Sequence, residues 1–293
     1  MAFLLTAQVS AGVLLVKEYG VNGTYSTIQS ALYAAVEGDT VLVFPKPSGI
    51  AWSEGTLYFD HQIILLDSDG SCFNQNGNSS IRIAIADGRE YDFRGWCWSG
   101  RDLYTTGSAS QTNRCIVNIT DCQFDDVNLN TNGIDARIFN NTISRFHFRY
   151  GTVVANDIDN IFLNNEWSGL TDSVLIIGNY RCDIEINTNY YVWLYNNWFY
   201  KSGSSGDGEW ALRVTMWNDG NDNFNIIANN TFEYQYNGVE VRYHSNTKIT
   251  NNYFHSTNNH TSYPWALKSY SGSNGTPFVS YNRANFNYFN NSN

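Results

Sequence analysis

The chain has 293 residues and a mass of 33.2 kDa, with 42% hydrophobic and 15% charged residues, which suits one or two packed domains and excludes a disordered chain. Lys+Arg number 17 against 27 Asp+Glu, and the net charge of -10 repels phosphate backbones and anionic headgroups, so nucleic acid and membrane surfaces are poor partners. No apolar run approaches the roughly 18 residues of a membrane-spanning helix.

Residues 1–24 read as an N-terminal strand or docking segment. The start is apolar but carries no basic residue before Lys17, and Thr6, Gln8 and Ser10 interrupt it at every second position, which is a strand pattern and not that of a secretory leader. A second unit runs from 25 to 293. In it Ile28, Leu32, Ala35 and Val36 recur at helical spacing behind a Ser/Thr cap, which predicts one short capping helix over about 26–36. Gly38-Asp39 then turns the chain into Val41-Leu42-Val43-Phe44, a strand buried on both faces and halted by Pro45 and Pro47. The cysteines (Cys72, Cys97, Cys115, Cys122, Cys182) are odd in number and form no CxxC pair, a pattern of buried thiols that suits synthesis in a reducing cytosol.

Of the 39 asparagines only Asn22 precedes residue 74, and from there onward the apolar residues come in short alternating runs separated by Asn, Asp, Gly and Ser. One phrase recurs: apolar, any, Asn, Asn, any, apolar. It stands at Ile138–Ile143, Phe162–Trp167, Leu194–Phe199, Ile227–Phe232 and Ile249–Phe254, with weaker copies at Ile119–Phe124 and Ala284–Phe289. Its first Asn advances by 24, 32, 33 and 22 residues, a solenoid period in which some coils carry extra loops. The extras are read at Asn179 to Asn189, a second Asn-bounded strand, at Lys201 to Asn223 and at His255 to Pro277, all projecting from one flank. Asn tolerates the left-handed backbone of a sharp bend, and stacked Asn side chains can bond along the axis. A structural Asn corner is therefore predicted at Asn141, Asn165, Asn197, Asn230 and Asn252, with coils over about 115–290.

On these residues the chain resembles the right-handed parallel β-helix, or pectin-lyase-like, superfamily. Tyr25 to Leu32 followed by Glu37 to Val43 is similar to its capping helix and first rung, and Asn237 to Val241 followed by Ile249 to Phe254 to its repeat unit. The resemblance implies an all-β, single-stranded right-handed parallel β-helix. It is a poor guide to activity, because the superfamily holds lyases, hydrolases, tailspikes and non-catalytic virion or adhesin modules.

Between successive corners a second strand set places polar residues outward: His147, Arg149, Arg213, Glu240, Arg242, His244 and Lys268. The resemblance implies that such a stripe could host lyase chemistry, with Arg213, Glu240, Arg242, His244 and Lys268 as catalytic candidates. The alternative, weighted about two to one over it, is a solvated face whose opposite charges pair across rungs. No metal or cofactor site emerges, since Glu240 is nearly alone on that stripe and calcium wants six to eight oxygens. The pairs Asp183/Glu185, Asp207/Glu209 and Asp125-Asp126 are equally plausible for hydrolysis, so none stands out. Trp210, Trp217, Tyr263 and Trp265 are the glycan-binding candidates, as aromatic platforms on the insertions.

The function that leads is a structural virion-surface protein, a tailspike, fibre or capsid-decoration subunit, docked to other virion proteins or to copies of itself and able to bind cell-surface polysaccharide without cleaving it. The alternative is a secreted polysaccharide lyase or glycoside hydrolase.

Overall fold

The computed structural model describes residues 11–20, 24–48, 52, 54–61, 63–67, 73–74, 80–163, 173–187, 191–201, 210–215, 224–234, 237–242, 246–256, 265–270, 283–285 and 288–291. Among them every strand pairing is parallel, and the strands form two sheets. Sheet A has 12 strands, from Val13–Val16 to Arg283–Asn285, and sheet B has 15, eleven of them on a main path from Leu57–Phe59 to Tyr288–Asn291. From Thr40 onward the chain passes from one sheet to the other in each coil, and in the later coils the sheet B part is two strands, as in Trp198–Lys201 and Trp210–Thr215. This is the all-β parallel β-helix that the repeat predicted, and parallel crossovers wind right-handed.

At the N-terminal end the helix Ile28–Ala34 buries Ile28, Ala31 and Leu32 over the first coils. Thr27 caps it through the Ser30 N–H, and Glu54 accepts the free N–H groups of Ile28 at 2.5 Å and Gln29 at 2.9 Å, so its first turn is satisfied and its anion lies at the positive end of the helix. Val13–Val16 is the outermost strand of sheet A, paired with Thr40–Val43, and Tyr25 bridges its outer edge through bonds to Leu15 and Lys17. Asp39 ties this entry together by accepting from Gly12 and Val36.

The corner from sheet A to sheet B divides its work between two residues. The first turns the backbone left-handed, with φ between 53° and 57° at Asn140, Ala155, Asn196, Asn229 and Asn251, and 64° at Gly178. The second is a buried Asn. These form one column, Asn141, Asn156, Asn179, Asn197, Asn230 and Asn252, none more than 3% exposed. The backbone N–H of each donates to the Oδ1 of the next at 2.8–3.1 Å, and Cys122 starts the series by donating to Asn141. Each Nδ2 also donates to a carbonyl of the coil before, for example Asn230 to Leu194 and Asn252 to Ile227.

Two expectations need correction. Asn165 lies outside the described residues, and the column between Asn141 and Asn197 is closed by Asn156 and Asn179, which bond directly to their neighbours. Their corners were invisible to an Asn-Asn search because Ala155 and Gly178 make the turn. For the same reason the Asn-bounded strand read from Asn179 is not an insertion: Tyr180–Asn187 is the sheet B strand of a regular coil.

Inside the coil the apolar residue two places after the buried Asn points inward and stacks on its counterparts. Phe199, Phe232 and Phe254 follow one another with ring centroids 4.6 and 4.8 Å apart. Gly151 marks a tight approach, since at φ 144° an added Cβ would lie 1.9 Å from the Ala136 carbonyl oxygen.

Sheet B is creased. In Gln123–Leu129 the inward residues are Phe124 and Val127, and in Thr142–Phe148 they are Ile143 and Phe146, so two residues instead of one separate them and the alternation slips. In later coils the strand is interrupted at this same place, between Lys201 and Trp210, Tyr234 and Asn237, and Ser256 and Trp265.

Replacing Asn230 with Ala removes an acceptor for the Asn197 N–H and the donors to Leu194 and Asn252, all buried. We expect a loss of about 3 kcal/mol in urea unfolding. Asn229→Gly, which keeps the left-handed turn, should change stability by less than about 1 kcal/mol.

Candidate functional site

The outer face of sheet B beyond the crease collects the ionisable residues. Register places Tyr104, Asn128, His147, Phe162, Glu185, Arg213, Glu240 and Lys268 at one position of successive strands. Thus His147, Arg213, Glu240 and Lys268 of the predicted stripe share a column. Arg242 stands two residues further on, aligned with Asn187, Thr215 and Tyr270, and Arg149 lies near the corresponding end of its own strand, where its Nε donates to the Asn130 carbonyl. The stripe is therefore two neighbouring columns. His244, Trp217 and Tyr263 lie outside the described residues.

In the upper part of the column the order Glu185, Arg213, Glu240, Lys268 alternates in sign from coil to coil. Opposite charges directly opposed on adjacent strands attract one another. One step is resolved in full: Arg213 Nε donates to Glu240 Oε2 at 2.9 Å, with Glu240 1% exposed. A buried carboxylate bonded to a guanidinium is engaged within the structure and poorly placed to reach a substrate.

The lower part of the face holds a second group that the sequence left undistinguished. Asp102, Asp126 and Arg145 occupy one register position at the crease. Arg145 pairs with Asp126 at 3.2 Å, and the Tyr104 hydroxyl donates to Asp102 at 2.7 Å. Asp126 is buried, and its Oδ1 has no hydrogen-bond partner. Burial pushes its carboxyl above the usual range, with Asp102 adding to the rise and Arg145 and His147 opposing it. The Tyr104 phenol is pushed up to about 12, first by its bond to Asp102. Asp102 and Asp126 are 24 residues apart, one coil, but the coil containing Asp102 lacks an Asn corner, so nothing in the sequence aligned them.

Trp210 and Trp265 open the strands Trp210–Thr215 and Trp265–Tyr270, and both align with Asn237 of the strand between them. Two Trp positions thus lie two coils apart on one line at the crease. Cys115 and Cys122 are free and buried, and burial pushes their thiols up to about 11 and about 12, so neither is a nucleophile at neutral pH. Among the described residues no three His, Cys, Asp or Glu side chains gather in a metal-binding group.

No protein family and no curated protein matches the chain. Among solved structures it is similar to the pectin methylesterase from Aspergillus niger in its deglycosylated form, over 94% of this chain and 90% of that one, at 13% identity and a TM-score of 0.25. At that level the likeness carries no argument, and the parallel β-helix rests on the strand pairing itself.

Two tests follow from this geometry. Arg213→Met should cost about 3 kcal/mol by stranding a buried carboxylate, and adding Glu240→Gln should recover most of it; a double-mutant cycle of urea midpoints reads the coupling. For Asp126 the folded state favours the protonated acid, so its stabilising share is present below the carboxyl's unfolded pKa and is lost as pH rises through the raised folded value. Asp126→Asn, which mimics the neutral acid, should therefore melt higher than the parent at pH 7, with the difference shrinking toward about pH 4.

Proposed function

We propose that the protein is a structural, surface-displayed β-helix of the virion tailspike, fibre or decoration kind, which binds glycan along the crease of sheet B without cutting it. The observation that carries this reading is the Arg213–Glu240 pair: the best catalytic carboxylate of the stripe is buried and engaged, within a column whose charges alternate. Trp210 and Trp265 share one register line at the crease, and tryptophan is a residue type that stacks on sugar rings. Buried free thiols at Cys115 and Cys122 fit assembly in a reducing compartment. Partners in this reading are other virion proteins or further copies of the chain, with a cell-surface polysaccharide as ligand.

A second reading, a polysaccharide hydrolase, is favoured by one observation: Asp102 and Asp126 face each other across adjacent coils, with Asp126 inclined to keep its proton. One assay separates the two. Incubated with a polysaccharide panel, the protein should retain glycan on a column and release neither reducing ends nor unsaturated uronate. Release of reducing ends that vanishes in Asp126→Asn but survives Glu240→Gln would establish the second reading and remove the first.

A further inference from the structure

The outer face of sheet A is apolar in two places. Alternation turns Val13, Leu15, Leu42 and Ile64 outward on its first three strands. It does the same for Val154, Leu175, Ile177, Trp193 and Tyr195 on the strands from Gly151–Val154 to Tyr191–Tyr195. Val13 is 62% exposed and Trp193 38%, and the others are half-buried. Between the two patches the same register positions hold Asp92 and Arg94, then Asn118 and Thr120, then Arg137. These charges are paired within the chain, Asp92 with Arg94 and Arg137 with Asp135, so the belt can be covered without stranding an ion.

The order apolar, charged, neutral, charged, apolar is symmetric about the strand Cys115–Thr120. Val13–Val16 lies four strands to one side of it and Tyr191–Tyr195 four to the other. A two-fold axis parallel to that strand keeps each position along the strands and reverses the order of coils. It opposes Val13 to Trp193, Leu15 to Tyr195, and Leu42 to Ile177 of a second copy. Asp92 meets Arg137 across the belt, and the one like-charged meeting, Glu90 with Asp135, joins groups already bonded to Asn118 and Arg137. Nine strands ~4.8 Å apart and two columns of outward residues cover on the order of 600 Å² per copy, ~1,200 Å² in total, the lower end of specific interfaces. We infer that the partner of this face is a second copy of the chain, packed sheet A to sheet A with the solenoid axes antiparallel. The inference goes beyond the glycan-binding reading, which concerns sheet B.

The test is sedimentation equilibrium of the full chain, which should show a concentration-dependent dimer with a limiting mass twice 33.2 kDa. Val13→Glu and Trp193→Lys each place a charge against an apolar partner and should weaken dimerisation at least about ten-fold, with the melting temperature unchanged. Mixed in equal amounts, the two variants should recover most of the parental dimer, since the mixed dimer sets Val13 against Trp193 on one side and the new Glu against the new Lys on the other. Leu42→Glu and Ile177→Lys, opposed in the same way, repeat the test if either of the first two fails to fold. A parent that stays monomeric to about 100 μM, a limiting mass of three copies, parental dimerisation in the single variants, or a mixture no stronger than its components overturns the inference.

Discussion

The structure depends on how a buried backbone N–H is satisfied where each coil turns from sheet A into sheet B. At the bend the sheet ladder breaks, and an interior amide without an acceptor would cost on the order of 1–3 kcal/mol at every coil. The carboxamide of the next coil's Asn supplies the missing oxygen, and its own NH2 returns to carbonyls of the coils beside it. One side chain type satisfies both kinds of orphan group, and because its donors and acceptor point along the axis the solution repeats indefinitely. That is why the second corner position is restricted whereas the first accepts Asp121, Asn140, Ala155 or Gly178: the first needs only a left-handed backbone. Cys122 ends the column, and there the bonding weakens to a contact from the Trp96 N–H to its sulfur at 3.4 Å.

With the corners fixed, the crease decides where the chain can vary. Two outward residues between inward ones leave the core columns untouched, since Phe199, Phe232 and Phe254 stack before the break and Leu212, Val239 and Leu267 align after it. Residues added there lengthen the outer surface at no cost to packing. The interruptions after Lys201 and Ser256 are placed where the helix tolerates them, and the strands that resume bring Trp210 and Trp265 into line.

The same face shows how a parallel sheet handles charge. Directly aligned residues on neighbouring strands interact at short range, so a column of one sign would be repulsive along its length. The upper column avoids this by alternating sign, and Glu240 can be buried because Arg213 accompanies it. The lower group does not alternate: Asp102 faces Asp126, and Arg145 comes only one coil later. Burial raises the Asp126 carboxyl there, with Asp102 adding to the rise, whereas Glu240 is engaged by Arg213.

The sequence by itself determined the solenoid, its capping helix and the chemistry of its corners, because a repeated apolar-Asn-Asn-apolar phrase can bury its polar side chains only by stacking on copies of itself. It also determined that Arg213, Glu240 and Lys268 belong to one column, through strands of matched phase. Register was decided only in three dimensions. The turns at Ala155 and Gly178 are set by backbone angle and not by residue name, so the coils built on Asn156 and Asn179 carry no signature. The alignment of Asp102 with Asp126, and of Trp210 with Trp265 two coils apart, depends on how many residues each coil spends before returning to the crease, a length that no local pattern encodes.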